Sequence, residues 1–528
     1  MPLQTSPGGT GAQHAAAATP GRSNHRAITV AVACFGVFVA YLPITMVSIS
    51  LPAIQAALGA TTPQLSWVQD AYVVPMAAFI LTAGVFGDVH GRKKVLVAGL
   101  LFAAIGATVA LCAHSITVLW TGQALYGIGA AALLPSTLAL ISHAVPDFRE
   151  RGKFIAMWAT SMMAALAIGP VVAGLIERHT SWRWIFLPPI PLAIIAAVVA
   201  VVFLGDSRSP HPRKLDWPGQ VTAAVAITAL IYAVIEGGAK SFSHAEVITA
   251  FVIAAVSLAA FIVVELKSSS PMLDLSVFKF PAFTATSLVA MIAFLGLIGF
   301  FFVLSLYLGL VQRLDTLDAG FRLLLIPLAA VFAGPLGGRL MHIIKPRWMI
   351  TGGLIVIAAS QFLMLNLAAD TSYASISWRL IMLGLGVGFV ATPMTAAAVA
   401  AVPHHLVGVA SAGNNAFRQI GSALGPAIMG VVLTSAALHA LPHNLFKRDV
   451  PGSVHQPVID TAHSAGLSAV AGMPLGANTG QVLTAIGDSF VHGLHVCLII
   501  SGILALVAAS ISALMMRPRT ETEEAVTV

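Results

Sequence analysis

The sequence predicts an all-α polytopic membrane protein of fourteen transmembrane helices, built as two six-helix bundles plus two inserted helices. Three observations predict it. First, 58% of the 528 residues are hydrophobic and only 9% are charged, whereas soluble domains carry about 25% charged residues. A surface with so few charges suits lipid, not water. Second, the apolar residues fall into runs of the length a bilayer requires, about 17–25 residues. Third, the chain repeats itself weakly at an offset of about 255 residues.

The elements follow in order. Residues 1–26 are rich in Gly, Ala, Thr and His and lack an apolar core, which reads as a disordered cytoplasmic tail and not a signal peptide. The predicted spans are 27–51, 66–87, 95–114, 117–142, 154–176, 184–204, 218–236, 247–265, 283–310, 320–341, 349–368, 380–402, 409–437 and 489–514. The charge-free stretch from Val95 to Pro146 is divided at Ala113-His114-Ser115, because one helix of that length does not fit a bilayer. The tenth span is the least regular, with only 16 uncharged residues between Arg322 and Arg339. Residues 438–488, rich in Gly, Ala, Pro and His, read as a long external loop, with a lid over the external mouth as the alternative. Residues 515–528 read as a second cytoplasmic tail.

Basic residues in the loops orient the chain. With the N-terminus inside, 18 of the 27 Lys and Arg fall in cytoplasmic segments, 8 fall outside, and Arg418 lies within a span. Both termini are therefore expected in the cytoplasm. The basic residues form no face or aromatic-interleaved patch, so the net charge of +7 does not point to nucleic acid. Cys34, Cys112 and Cys497 lie in apolar runs without metal spacing and read as small buried hydrophobes. His404-His405 and His492/His495 lack acidic or thiol companions, so no metal or other cofactor is expected. No Walker A, HExxH or GxSxG pattern supports ATP-driven transport or hydrolysis, and the chain is not read as an enzyme.

The repeat has three parts. Ala165 to Gly174 matches Gly421 to Gly430 around a Gly-Pro pair. Gly84 to Arg92 matches Gly338 to Arg347. Gly127-Ile-Gly129 matches Gly384-Leu-Gly386. Parallel repeats of this kind occur in transporters that rock around a midplane site. The expected organisation is an N-terminal bundle over 27–204, a linker with two inserted helices over 205–265, and a C-terminal bundle over 266–514.

The segment Gly84-Val-Phe-Gly-Asp88-Val-His-Gly91-Arg92-Lys93-Lys94, between spans two and three, resembles the signature loop of the major facilitator superfamily. Gly169-Pro170, with Ala165 and Gly174, resembles the antiporter motif of its exporters. Leu215-Asp216-Trp217-Pro218-Gly219, Ser181 to Phe186, and Arg418-Gln419-Ile420-Gly421 resemble its 14-helix drug:proton antiporter branch. The resemblance implies a monomeric permease of the cytoplasmic membrane that exports small, lipophilic molecules by proton antiport. Its partners would be a small-molecule substrate, protons and the lipid bilayer. A periplasmic adaptor is not specified.

The resemblance also assigns roles. Gly84, Asp88, Gly91 and Arg92 would form a gating loop, with Asp88 facing the N-terminus of span thirteen near Gly408. A carboxylate at a helix N-terminus gains about 0.3–1 kcal/mol. Ala165, Gly169, Pro170 and Gly174 would seal one face of the cavity. Two departures stand out. Leu42-Pro43-Ile44-Thr45 lacks the Asp common in the family's first span, and Gln123 replaces an Arg common in its fourth. Losing both together avoids an orphan charge. Asp70, in Trp67-Val68-Gln69-Asp70-Ala71-Tyr72, is the leading proton-coupling candidate, and Glu236 a weaker one on a span expected to be peripheral. Gln123, Asn414, Asn415, Arg418 and Gln419 are the candidates for substrate binding or gating, and Met157, Trp158, Met162 and Met163 could line a cavity. The competing readings are an uncoupled facilitator or metabolite exchanger and a non-transporting receptor or scaffold.

Overall fold

The computed structural model describes residues 20–145, 148–208, 215–341, 343–403, 406–467 and 469–516. Most of both predicted tails, the basic residues Arg213 and Lys214, and His404-His405 lie outside the described residues. Among the described residues, fourteen helical segments are long and apolar enough to cross a membrane. Spans one to seven are Arg26–Leu58, Thr62–His90, Arg92–Leu111, Ile116–Ala144, Lys153–Glu177, Trp182–Phe203 and Trp217–Ala239. Spans eight to fourteen are Ala245–Lys267, Pro281–Val311, Thr316–Leu340, Pro346–Asn366, Tyr373–Ala400, Val409–Lys447 and Gly476–Met515. Every predicted span has its counterpart. The tenth is two helices, Thr316–Leu323 and Leu325–Leu340, meeting at Leu324.

The repeat is written in the packing. Gly127 of span four lies so close to span two that a Cβ would stand 2.1 Å from Tyr72 O. In the second half, Gly384 of span twelve meets Ile326 O of span ten at 2.2 Å by the same measure. Two residues on, Gly129 presses on Gly99 O and Gly386 on Gly353 O. Gly169 packs on span one at Leu42 O, and Gly425 packs on span nine at Leu295 O. Without a hydrophobic force between helices in lipid, close backbone approach at small residues is what binds such bundles. The same glycines at the same offset therefore build the same bundle twice.

The inserted pair, spans seven and eight, is not peripheral throughout. Span seven buries Gln220, whose Nε2 donates to Ala78 O of span two at 3.0 Å and which also pairs with Thr82. At its other end Gly238 stands against Val431 of span thirteen. A polar amide within the membrane needs partners, and the backbone of span two supplies them. Span eight is the more exposed of the two, with Ile248, Val252, Val256 and Leu266 uncovered by protein.

Residues 438–488 are largely helical where a loop is predicted. Spans thirteen and fourteen are 39 and 40 residues long, about 60 Å each at 1.5 Å per residue, against a hydrocarbon core of about 30 Å. Both therefore project beyond it. Between them lies the amphipathic helix Gly452–Ala465. The physical reason is a separate apolar cluster of Leu441, Leu445, Val450, Val458, Ala462, Val470, Val482 and Ala485, spaced too irregularly to stand out in a Gly- and Pro-rich sequence. An Arg448–Asp488 ion pair at 2.6 Å and a hydrogen bond from Asn444 to Ser489 at 2.9 Å tie the two projecting ends together.

Candidate functional site

Span one carries Pro43 and Pro52 inside its helix. A proline lacks an N–H and so deprives the carbonyl four residues earlier of its donor. For Pro43 that carbonyl is Val39 O, and the Tyr126 hydroxyl of span four donates to it at 2.8 Å. The Tyr72 hydroxyl of span two donates to the next carbonyl, Ala40 O. The two rings lie 5.7 Å apart. The carbonyl that Pro43 frees is thus satisfied by the buried Tyr126, with Tyr72 bonded beside it. Neither tyrosine was singled out in the sequence, because their partners come from other helices. Gln123 is buried on the same side of span four, and its Nε2 donates to Val68 O at 3.1 Å.

Asp70 is fully buried, and neither carboxylate oxygen has a hydrogen-bond partner. Its direction follows from its neighbours on span two. Ser66 donates to Pro426 O of span thirteen at 3.3 Å, and the Trp67 ring lies 6.3 Å from Tyr232 of span seven. Asp70, four and three residues further along, points between them, where spans two, seven and thirteen meet. No ion pair among the described residues joins it to Arg418 or any other cation. Glu236, in contrast, pairs with Lys240 at 3.3 Å. Hydrogen bonds from Lys240 to Glu246 and then Glu236 hold its ammonium above the usual lysine range.

Arg418 lies within span thirteen and is 6% exposed. One nitrogen donates to Asn415 Oδ1, the guanidinium stands 5.0 Å over the Phe294 ring of span nine, and Nε has no partner. Asn414 is buried with its Nδ2 unpartnered. Gln419 Nε2 reaches across to Met76 Sδ of span two at 3.3 Å. The structure therefore groups Asn414, Asn415, Arg418 and Gln419 on one helix stretch, with Gln419 touching Met76 of the first bundle, while Gln123 bonds to Val68 O. Trp158 and Met162 are buried, Met163 is half-buried and Met157 is exposed, so the four line no common wall. Cys497 is buried, but Cys34 is only half-buried and Cys112 is exposed at the end of span three. A run position alone does not say which side of a helix meets protein. His495 Nε2 lies 2.8 Å from Leu367 O.

The two bundles meet backbone to backbone in their predicted external halves. Gly174 of span five faces Leu317 of span ten, where a Cβ would stand 2.3 Å from Leu317 Cα. Gly320 of span ten faces Pro170 O. Gly309 of span nine meets Pro52 of span one. Across the pseudo-axis, Gly430 of span thirteen faces Ser66 of span two. Thr316 donates to Glu177 at the end of span five. The motif residues thus fall into two groups. Pro170 and Gly174 contact the other bundle, while Ala165 is buried and Gly169 packs on span one at Thr45 and Leu42. At the predicted cytoplasmic end, Arg92 donates to Asp88 from Nη2 at 2.8 Å and Nε at 3.0 Å. Gly91, at a φ of 114°, permits the sharp turn between spans two and three. Gly84 lies against Pro135 of span four.

A family model described as Major Facilitator Superfamily matches residues 33–426. The multidrug resistance protein Stp of Mycobacterium tuberculosis is 31% identical over 395 residues, covering 75% of this chain and 73% of that protein. The multidrug efflux pump LfrA of Mycolicibacterium smegmatis is 29% identical over 492 residues, covering 93% and 96%. Among solved structures, a bacterial homologue of the human lysosomal transporter Spinster, in an inward-facing and unoccupied conformation, superposes with a TM-score of 0.64. It is 15% identical and covers 95% of this chain and 98% of that one, a likeness of fold.

Proposed function

The chain belongs to the major facilitator superfamily, and from that premise we propose that it exports small, lipophilic molecules across the cytoplasmic membrane by proton antiport with alternating access. It is a multi-pass membrane transporter and not an enzyme, and its substrate is a small molecule. Both termini lie in the cytoplasm, and the described arrangement is the externally closed stage of the cycle. Relatives named for multidrug resistance and efflux support the direction and breadth of export.

The observation that carries the proton step is Asp70, fully buried with two unpartnered oxygens. Such a carboxyl holds either an unpaired buried charge, at high cost, or a proton. It lies one helical turn inside Ser66, a residue of the external seal. Parting of that seal would expose it to the outside, and closure would bury it again. The Arg418 cluster and the unpartnered Asn414 amide provide polar groups for the substrate or for gating, and Asp88 with Arg92 serves the cytoplasmic gate.

Liposomes holding the purified protein and an imposed pH gradient test this with a lipophilic dye as probe. Gradient-driven accumulation is expected, and Asp70→Asn should abolish it while leaving flux down the dye's own gradient. Unchanged gradient dependence in Asp70→Asn would remove this residue from the mechanism. A second reading, an uncoupled facilitator, draws on span one, where the place of an acid is taken by Pro43 and its freed carbonyl is already bonded to Tyr126. Gradient-independent flux in the unaltered protein would favour it.

A further inference from the structure

Asp216 begins span seven as its N-cap, with Oδ1 accepting the Gly219 N–H at 2.8 Å. Glu265, near the end of span eight, is 4% exposed, and its Oε2 accepts the Leu273 N–H at 3.0 Å. Each carboxyl thus has one oxygen fixed by a backbone donor. The remaining oxygens, Asp216 Oδ2 and Glu265 Oε1, are both buried and have no hydrogen-bond partner. Both flank Gly219, where a Cβ would stand 3.0 Å from Asp216 Oδ2 and 2.8 Å from Glu265 Oε1, so the glycine leaves room for the two to approach.

Among the described residues, no cation pairs with Asp216 or Glu265. The ionisable groups acting on Glu265 through space are Asp216 and Asp274, both acids. On the span two side, Ala78 and Thr82 hold Gln220 and are uncharged. Leu273 packs with Val277, Phe283, Leu406, Val409 and Ala410, also uncharged. Lys267 is exposed two residues beyond Glu265. Adjacent carboxyls without a cation cannot both ionise cheaply, and they resolve this by keeping a proton between them.

We infer that Asp216 and Glu265 hold one shared proton, making the predicted cytoplasmic end of the inserted helix pair a proton-binding site separate from Asp70. The protonated oxygen of one carboxyl donates to the free oxygen of the other, and this closes a clasp between the start of span seven and the end of span eight. Through Leu273 the clasp reaches the connection that enters the second bundle, and through Gln220 it reaches span two. Losing the proton leaves two facing negative charges that push the clasp apart. The inserted pair thereby responds to cytoplasmic pH at a joint shared by both bundles. This inference does not depend on the role given to Asp70.

Infrared spectroscopy of the purified protein tests it without any transport measurement. In an Asp70→Asn, Glu177→Gln background, which removes the other two carboxyls with a buried, unpartnered oxygen among the described residues, the carbonyl-stretch band of a protonated carboxyl is expected at pH 7. It should disappear in both Glu265→Gln and Asp216→Asn, since neutralising either partner leaves the other free to ionise against an amide donor. Asn retains the capping oxygen at 216, and Gln mimics the neutral acid at 265. A band absent from the parent, or persisting in either variant, overturns the inference. Melting temperature against pH is the second readout. A proton held only in the folded state stabilises at low pH, and that contribution is lost as pH rises past its release. The parent's melting temperature should therefore fall on alkalinisation while that of Glu265→Gln stays flat. Equal slopes, or a parent stabilised by added Na⁺ or K⁺ in place of a proton, would also overturn it.

Discussion

Gly174→Ala is expected to unseat the external seal. A Cβ at Gly174 would stand 2.3 Å from Leu317 Cα and 2.6 Å from Leu317 N. Both are backbone atoms, so no rotamer change relieves the clash. Ordinary contact begins at 3.4 Å, and spans five and ten must therefore part by at least 1.1 Å (3.4 minus 2.3). Overpacking of this kind costs about 1–3 kcal/mol. Because the contact joins the two bundles, the cost falls only on the externally closed arrangement. At about 1.4 kcal/mol per tenfold, the ratio of open to closed should rise roughly 5- to 150-fold. Pulsed electron resonance between spin labels at Leu175 and Phe321, both exposed, reads the separation of these spans directly. A growing long-distance population is expected, together with faster labelling of cysteines introduced into the seal. Gly338→Ala is the control, since nothing lies within 4 Å of the added methyl. Gly430→Ala, whose nearest neighbour is the rotatable Ser66 hydroxyl at 2.6 Å, should have a smaller effect. A distance distribution unchanged in Gly174→Ala would refute the assignment of this glycine to the seal.

Other outcomes follow from the same geometry. Gly127→Ala and Gly384→Ala should each lower thermal stability by similar amounts, about 1–3 kcal/mol, because each methyl would meet a backbone carbonyl within 2.2 Å; a large inequality would count against equivalent bundles. Tyr126→Phe leaves the Val39 carbonyl without its donor and should cost about 1–3 kcal/mol, measured as a fall in melting temperature, whereas an unaffected protein would mean another group satisfies that carbonyl. Gln220→Leu removes both bonds to span two and should loosen span seven, seen as faster amide exchange there; exchange confined to span eight would show that apolar packing alone holds the pair.

Much of this architecture can be read from residue order. Fourteen apolar runs, the Lys and Arg bias and the recurring glycines all act locally, and each span must satisfy its own backbone in lipid. The Gly127/Gly384 repeat was legible because close packing admits almost nothing else at those points. The site was only partly legible. Asp70 and Arg418 stand out as charges in apolar runs, yet their surroundings do not. The tyrosine that answers Pro43, the amide that draws span seven inward and the ordered cluster beyond the membrane leave no mark in the sequence, since each depends on residues far apart in the chain.

The sequence by itself therefore determined the class, the number of spans, the two-fold construction and two of the buried charges, Asp70 and Arg418. Hydropathy, length and small-residue spacing are properties of single segments. Only the tertiary structure decided which helices meet at Asp70, that Pro170 and Gly174 press on the opposite bundle while Gly169 packs within its own, and that Asp216 faces Glu265 across a glycine. Those facts depend on the rotation of each helix about its axis. That rotation is set by packing between segments, and a nearly uniform apolar surface leaves little record of it in any one of them.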